Sequence, residues 1–228
     1  MACSEAGCAL LGGETAEHPG LLGPDEYDLA GAATGVVERD QILGAERVVR
    51  RRRGAGHGIL GPALQRLLPG QARIPARSGW TLDRYVPELG QTLGEELLTP
   101  TRIYARDCLA LIEAVEVHAM SHITGGGLAN NLARVIPPHC EARIDRTTWQ
   151  PPPIFGLIQQ LGEISDPDLA ATFNMGVGMV AVLPSDVVDE AVRLLPGVGC
   201  GPGCADRLRL PARSNDKRVS LFGQHVVG

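Results

Sequence analysis

Three consecutive glycines follow a His-Ile-Thr run and lead at once into a helical pattern: "HITGGGLANNLARVIP", His122 to Pro137. A glycine triplet costs backbone entropy on folding, so something must require it. A tight strand-to-helix turn is one use. The other is a loop whose bare backbone lets amide N–H groups and a helix N-terminus meet an anion, with Thr124 adding a hydroxyl beside Gly125, Gly126 and Gly127. Gly12-Gly13-Glu14-Thr15 is similar in kind. A carboxylate after two glycines, at an expected strand end, either binds a divalent cation or a sugar hydroxyl, or simply faces solvent. Asp28 is a further carboxylate of this type. His122 precedes the triplet as a candidate catalyst, and a lone histidine equally serves as a satisfied structural residue. Asn174, in "FNMGVGM", either hydrogen-bonds a ligand where glycines open a strand or satisfies backbone at a bulge.

These groups need elements to hold them. Residues 1–46 read as strand and turn material, with Tyr27 to Asp40 a buried strand emerging at Glu38. Residues 80–196 read as an α/β domain. Leu93 to Leu98 ends one helix. Thr99 and Pro100 start the next, whose inward face is Ile103, Leu109, Ile112 and Val115. "VHAMSHIT" is a strand, and its glycines lead into a helix with Leu128, Leu132 and Val135 on one face. "CEARID" is an alternating strand, "PPIFGLIQQLG" a helix, and "TFNMGVGMVAVLP" an apolar strand. "SDVVDEAVRLLP" is a helix capped by Ser185, with Val188, Val192 and Leu195 inward. "VSLFGQHVV" is strand-like.

Composition bounds the rest. The chain has 228 residues, 44% of them hydrophobic, 4% aromatic, and a formal charge of −5. A mildly acidic chain of this kind is a poor general nucleic-acid binder. Without a long apolar run, no membrane partner is expected. Six scattered cysteines without a secretory leader are expected to be reduced thiols in a cytoplasmic protein. Cys200 and Cys204 form a close pair without further soft ligands in the neighbouring sequence. Residues 47–79 break the pattern: eight arginines, including Arg50–Arg53, and no acidic residue. An RNA- or phosphate-binding arm is one reading of that segment, and a poorly packed insert is the other. Its histidine, His57, is not placed in a site. Residues 197–217 share its Arg, Gly and Pro character.

Several blocks together resemble aminoimidazole ribonucleotide synthetase, the purine-pathway cyclo-ligase family. "AGCALLGGETAEHPG" and "YDLAGAATGVVERD" are similar to the middle of its first domain. "PTRIY", "SHITGGGLANNLARVIP" and "FNMGVGMV" are similar to its second domain, in order. The resemblance covers about residues 3–46, 80–196 and a few positions near Leu221 to His225. It implies an α+β fold: a partial PurM-like N-terminal domain of mixed strands, then a PurM-like C-terminal α/β domain. The expected divisions are a remnant of the ATP-binding and dimerisation domain at 1–46, the Arg-rich segment at 47–79, the α/β domain at 80–196 and an irregular tail at 197–228.

The resemblance also implies ATP-dependent closure of the imidazole ring of formylglycinamidine ribonucleotide, in de novo purine biosynthesis. ATP and Mg²⁺ are the implied cofactors, a small-molecule ribonucleotide the substrate and a homodimer the assembly. It assigns Thr124, Gly125, Gly126, Gly127 and Asn174 to the substrate or its phosphate. Gly12, Gly13, Glu14, Thr15 and Asp28 go to nucleotide or metal, and His122 is the catalytic candidate. The family carries a Gly-rich nucleotide loop, a lysine and metal-binding aspartates before the equivalent of Cys3, and these have no counterpart here. The expectation is a shortened member impaired in ring closure, with an inactive or phosphate-binding remnant as the alternative.

Between well-matched flanks, the foreign composition of 47–79 is what a pair of compensating reading-frame shifts produces, and 197–217 fits the same account. Translating those codons in the other frames should then restore family-like residues. Coding DNA that yields none in any frame makes the two segments genuine inserts.

Overall fold

The structure is a computed structural model and describes residues 1–48, 79–195 and 218–225. Arg50–Arg53, His57 and the Cys200 and Cys204 pair lie outside the described residues. The chain divides into two units, Met1–Ile42 and Leu43–Gly228.

In the first unit, helix α1 spans Ala2–Ala6 and ends at Gly7, whose left-handed φ of 77° lets its N–H and that of Cys8 return to the Ser4 and Cys3 carbonyls. Beyond it the backbone is open. The buried strand expected over Tyr27 to Asp40 is neither a strand nor buried: Tyr27 is 84% exposed and Val36 97%. A strand needs a neighbour for its amides and carbonyls. Among the described residues of this unit, the only β pairing is the isolated bridge between Pro19 and Leu22.

The second unit is built around two strand pairs. Strands β1 (Tyr85–Val86) and β2 (Gln91–Thr92) first form a small antiparallel hairpin, turned by Gly90 at φ 68°. Helix α2 (Leu93–Leu98) follows, closed by a reciprocal capping box between Thr92 and Glu95. Helix α3 spans Ala105–Ala114. It starts later than expected, so Thr99 ends α2 rather than capping α3, and Pro100 and Ile103 precede it. Its inward face is Leu111 with Val115 beyond, while Leu109 and Ile112 are exposed.

Strand β3 (Ala119–His122) pairs antiparallel with β5 (Met179–Val182), Ala119 opposite Val182 and His122 opposite Met179. Val180 and Val182 join one apolar cluster with Ala119, Leu128, Leu132 and Ile136. Ala181 turns to the other face with Leu111, Leu183 and Ala191. Burial on both faces is why β5 reads as a continuous apolar run rather than an alternation. Strand β4 (Ala142–Asp145) pairs parallel with β6 (Val219–Phe222). Its burial alternates as its sequence predicts, with Ala142 and Ile144 inward. Parallel and antiparallel pairing thus coexist with helices in this unit.

Helix α4 spans Gly127–Leu132 and buries Leu128 and Leu132. Val135 packs on the same cluster just past its end. Helix α5 (Pro153–Gly162) buries Ile154, Phe155 and Ile158. Helix α6 (Asp166–Thr172) has Leu169 as its one buried residue, so no apolar period announces it. It is marked instead by Ser165, whose hydroxyl accepts from the Asp168 N–H. Helix α7 (Val188–Leu194) is preceded by a 3₁₀ turn at Ser185–Val187. Ser185 therefore does not cap it, and the inward residues are Ala191 and Leu195, with Val192 at the margin.

α4 lies hard against α6. A Cβ on Gly127 would run into the Ala170 carbonyl oxygen, and Gly127 has a φ of 70°. Gly127→Ala should cost about 2–4 kcal/mol from backbone strain and collision together. Gly156, inside α5, has open space where a Cβ would go. Gly156→Ala should add up to about 1 kcal/mol through helix propensity. Urea unfolding of the two variants checks both signs.

Candidate functional site

Two glycine loops emerge side by side where the β3–β5 ladder ends. β3 leaves at His122 and β5 enters opposite it at Met179. The Ile123 N–H donates to the Gly178 carbonyl at 2.8 Å, extending the pairing into both loops. The first loop runs from Thr124 to Gly127. The second runs from Asn174 to Gly178, through left-handed Met175 at φ 52° and Gly176 at φ 90°. That turn shortens the strand expected over "TFNMGVGMVAVLP" to its last part. The loops also touch: a Cβ on Gly127 would lie 3.2 Å from the Phe173 carbonyl oxygen.

One side chain organises the first loop. Asn131, on α4, is 2% exposed. Its Nδ2 donates to the carbonyls of Gly127 at 2.8 Å, Gly125 at 3.2 Å and Thr124 at 3.3 Å. The Thr124 hydroxyl donates to Asn131 Oδ1 at 3.4 Å. It faces the protein, although the triplet reading expects it to face a ligand. Asn130 Nδ2 donates to the Gly126 carbonyl at 2.8 Å. The Gly127 N–H returns to the Thr124 carbonyl at 3.2 Å. The amides of Gly125 and Gly126 meet no acceptor among the described residues, and Gly125 is exposed. Gly126, at φ 96°, caps α4.

Gly126 and Asn130 line a cavity of about 780 Å³ with Ala170, Asp166, Arg146 and Arg218. The guanidinium of Arg146 donates to Asp166 at 2.8 Å and to the Gly223 carbonyl at 2.9 Å. Arg218 donates to the Ala133 carbonyl at 3.3 Å. Arg146 and Arg218 are thus both held on a wall whose floor is largely alanine, with one carboxylate beside them. Arg has five N–H donors, so each keeps donors for a further acceptor.

The other expected residues fall elsewhere. Asn174 is 3% exposed and serves its own turn, its Oδ1 accepting from the Gly176 N–H at 3.0 Å and its carbonyl from Val177 at 3.0 Å. His122 is exposed and meets the Tyr104 ring edge-on at 5.9 Å. It stands outside the lining of that cavity. Gly12, Gly13, Glu14 and Thr15 belong to the first unit and lie exposed in open backbone. The Asp28 carboxylate accepts from the neighbouring Leu29 N–H at 2.8 Å. Among the described residues no three His, Cys, Asp or Glu side chains come together as a metal site. The sequence reading missed Asn131 and Arg146. The signal for Asn131 was available: it occupies an inward slot between Leu128 and Leu132, where an apolar residue is expected.

The family described as AIR synthase related protein, C-terminal domain, matches residues 71–205. The chain is similar to the phosphoribosylformylglycinamidine cyclo-ligase of Geotalea uraniireducens, 42% identical over 196 residues, covering 86% of this chain and 56% of the relative. It is similar to that of Pseudothermotoga lettingae, 44% identical over 197 residues, with 86% and 58% covered. It is also similar to that of Alkaliphilus oremlandii, 45% identical over 202 residues, again with 86% and 58% covered. The chain therefore spans a little over half the length of the curated relatives it matches. Among solved structures, E. coli HypE is 17% identical with a TM-score of 0.45, covering 79% of this chain and 49% of that one.

Burial pushes the Tyr104 phenol up to about 12, with Arg102 opposing. A phenol whose folded pKa exceeds its unfolded value contributes stability below the unfolded pKa, and that contribution is lost as pH rises through the folded one. Stability should fall between about pH 10 and 12, and Tyr104→Phe should flatten that limb. Urea midpoints across the alkaline range measure it.

Proposed function

The chain belongs to the AIR synthase related protein family, and from that premise we propose that it is a cyclo-ligase of purine biosynthesis whose second unit holds the phosphate of its ribonucleotide substrate. The reaction is the ATP-dependent closure of formylglycinamidine ribonucleotide to aminoimidazole ribonucleotide. In it ATP activates the formyl oxygen, a nitrogen of the same molecule attacks that carbon, and phosphate leaves. Such chemistry depends on positioning and on neutralising phosphate charge.

One observation carries the reading. Gly125 and Gly126 present adjacent amides that meet no acceptor among the described residues, and Gly126 lines a cavity that also holds Arg146 and Arg218. Consecutive free amides form an anion-binding concavity. Guanidinium groups add charge-assisted donors suited to phosphate. α4 is only six residues long, so the weight rests on these amides and guanidinium groups rather than on a helix dipole. The alanines of α4 and α6 leave room for the sugar.

Mg²⁺ belongs to the same reading as the ion that accompanies ATP. Glu14 and Asp28 are exposed and gather no third ligand among the described residues. That placement favours a second reading, in which the chain binds the phosphorylated substrate and turns it over slowly or not at all.

A titration of the ¹⁵N-labelled chain with ribose 5-phosphate tests the site. The amide resonances of Gly125 and Gly126 should move downfield and saturate. Saturable shifts confined to other residues would sink the assignment. An assay of ATP-dependent ring closure then separates the two readings, since measurable turnover supports the first and binding without turnover the second.

A further inference from the structure

Each trans peptide plane carries its C=O and N–H on opposite sides. The Thr124 carbonyl shares a plane with the Gly125 N–H, and the Gly125 carbonyl shares one with the Gly126 N–H. Asn131 Nδ2 donates to both carbonyls, at 3.3 and 3.2 Å. Those carbonyls are thereby turned toward the buried end of α4, and the two amides away from it. Glycine offers little steric resistance to rotation of these planes, so the orientation depends on partners: Asn131 for both carbonyls, joined at Thr124 by the Gly127 N–H at 3.2 Å. The Asn131 amide also takes the Gly127 carbonyl at 2.8 Å, and its Oδ1 takes the Thr124 hydroxyl. Nothing about packing asks for this side chain, because its neighbours Leu128 and Leu132 make the same inward face apolar.

We propose that Asn131 is a positioning residue: by holding the carbonyls of Thr124 and Gly125 inward, it aims the amides of Gly125 and Gly126 at the ligand. This rests on the phosphate reading above for the identity of that ligand, but the orienting role stands apart from it. Asparagine does this and aspartate does not. The two are nearly isosteric, yet an ionised carboxylate only accepts hydrogen bonds. A carboxylate at position 131 repels the carbonyls and attracts the amides, so the peptide planes turn over and the donors point inward.

The test uses the whole 228-residue chain. Asn131→Asp should show Gly125 and Gly126 amide resonances shifted downfield before any ligand is added, with slowed hydrogen exchange. Its affinity for ribose 5-phosphate should fall at least tenfold. A residue that merely packs would not move those ligand-free resonances. Asn131→Leu, which extends the apolar face, provides the second variant should the buried carboxylate prevent folding. It should fold and lose affinity at least tenfold, with no ligand-free downfield shift. Wild-type affinity in a folded Asn131→Leu chain overturns the proposal, as do unmoved ligand-free amides in a folded Asn131→Asp chain. If the wild-type amides ignore ribose 5-phosphate while Asn131→Asp still shifts them, the phosphate reading fails and the orienting role holds.

Discussion

A carbonyl near the buried side of a turn must find a donor, and in this chain three carbonyls find the same one. The two N–H groups of the Asn131 amide are shared among the carbonyls of Thr124, Gly125 and Gly127, and Thr124 accepts from the Gly127 N–H as well. Leaving such a group unpaired costs about 1–3 kcal/mol, so the loop is tied to α4 by more than chain connectivity. The ladder between β3 and β5 sets where the loop begins, and the close approach of α4 to α6 sets where it ends. Between those fixed ends Asn131 holds the carbonyls of Thr124 and Gly125 and Asn130 holds that of Gly126.

The glycine triplet is therefore not a choice between a bland turn and a ligand loop. Gly126 and Gly127 are required by the fold, since both have left-handed φ and Gly127 also abuts the Ala170 carbonyl. Gly125 lies outside the left-handed region, and neither constraint asks for it. The turn accounts for Gly126 and Gly127, and only the phosphate reading proposed above would account for Gly125.

Much of this was legible in the sequence. The strands at Ala119 and Ala142 and the helices at Gly127 and Pro153 declare themselves through apolar spacing, because each buries a face. What was not legible follows from the same physics. α6 has a single buried residue, Leu169, so its seven residues carry no period to read. Along α3 tertiary packing selects the buried side, so Val115 is inward as expected and Leu111 joins it, while Leu109 and Ile112 are exposed. Asn174 and Met175 break what looks like a continuous strand because left-handed backbone at Met175 and Gly176 is invisible in composition. In the candidate site, the glycines were readable from their types alone. Arg146 was not, because Asp145 and Thr147 beside it offer no motif and its partners, Asp166 and Gly223, are distant in sequence.

The two units differ in a way that bears on chemistry. In the second, apolar residues converge into clusters around β3 and β5, and rigidity at the glycine loops follows from that packing. In the first, Leu10, Leu11, Tyr27, Leu29 and Val36 all face outward. Glu14 stands exposed in open backbone, and among the described residues of that unit no ladder supports it. Binding depends less on such support than catalysis does, because ring closure needs the activating phosphate and the substrate held in register. On the phosphate reading proposed above, substrate recognition would draw only on the Thr124 to Asn131 turn and the cavity beside it, within the second unit. The blocks that resemble the family lie in both units, whereas a packed core stands behind those of the second.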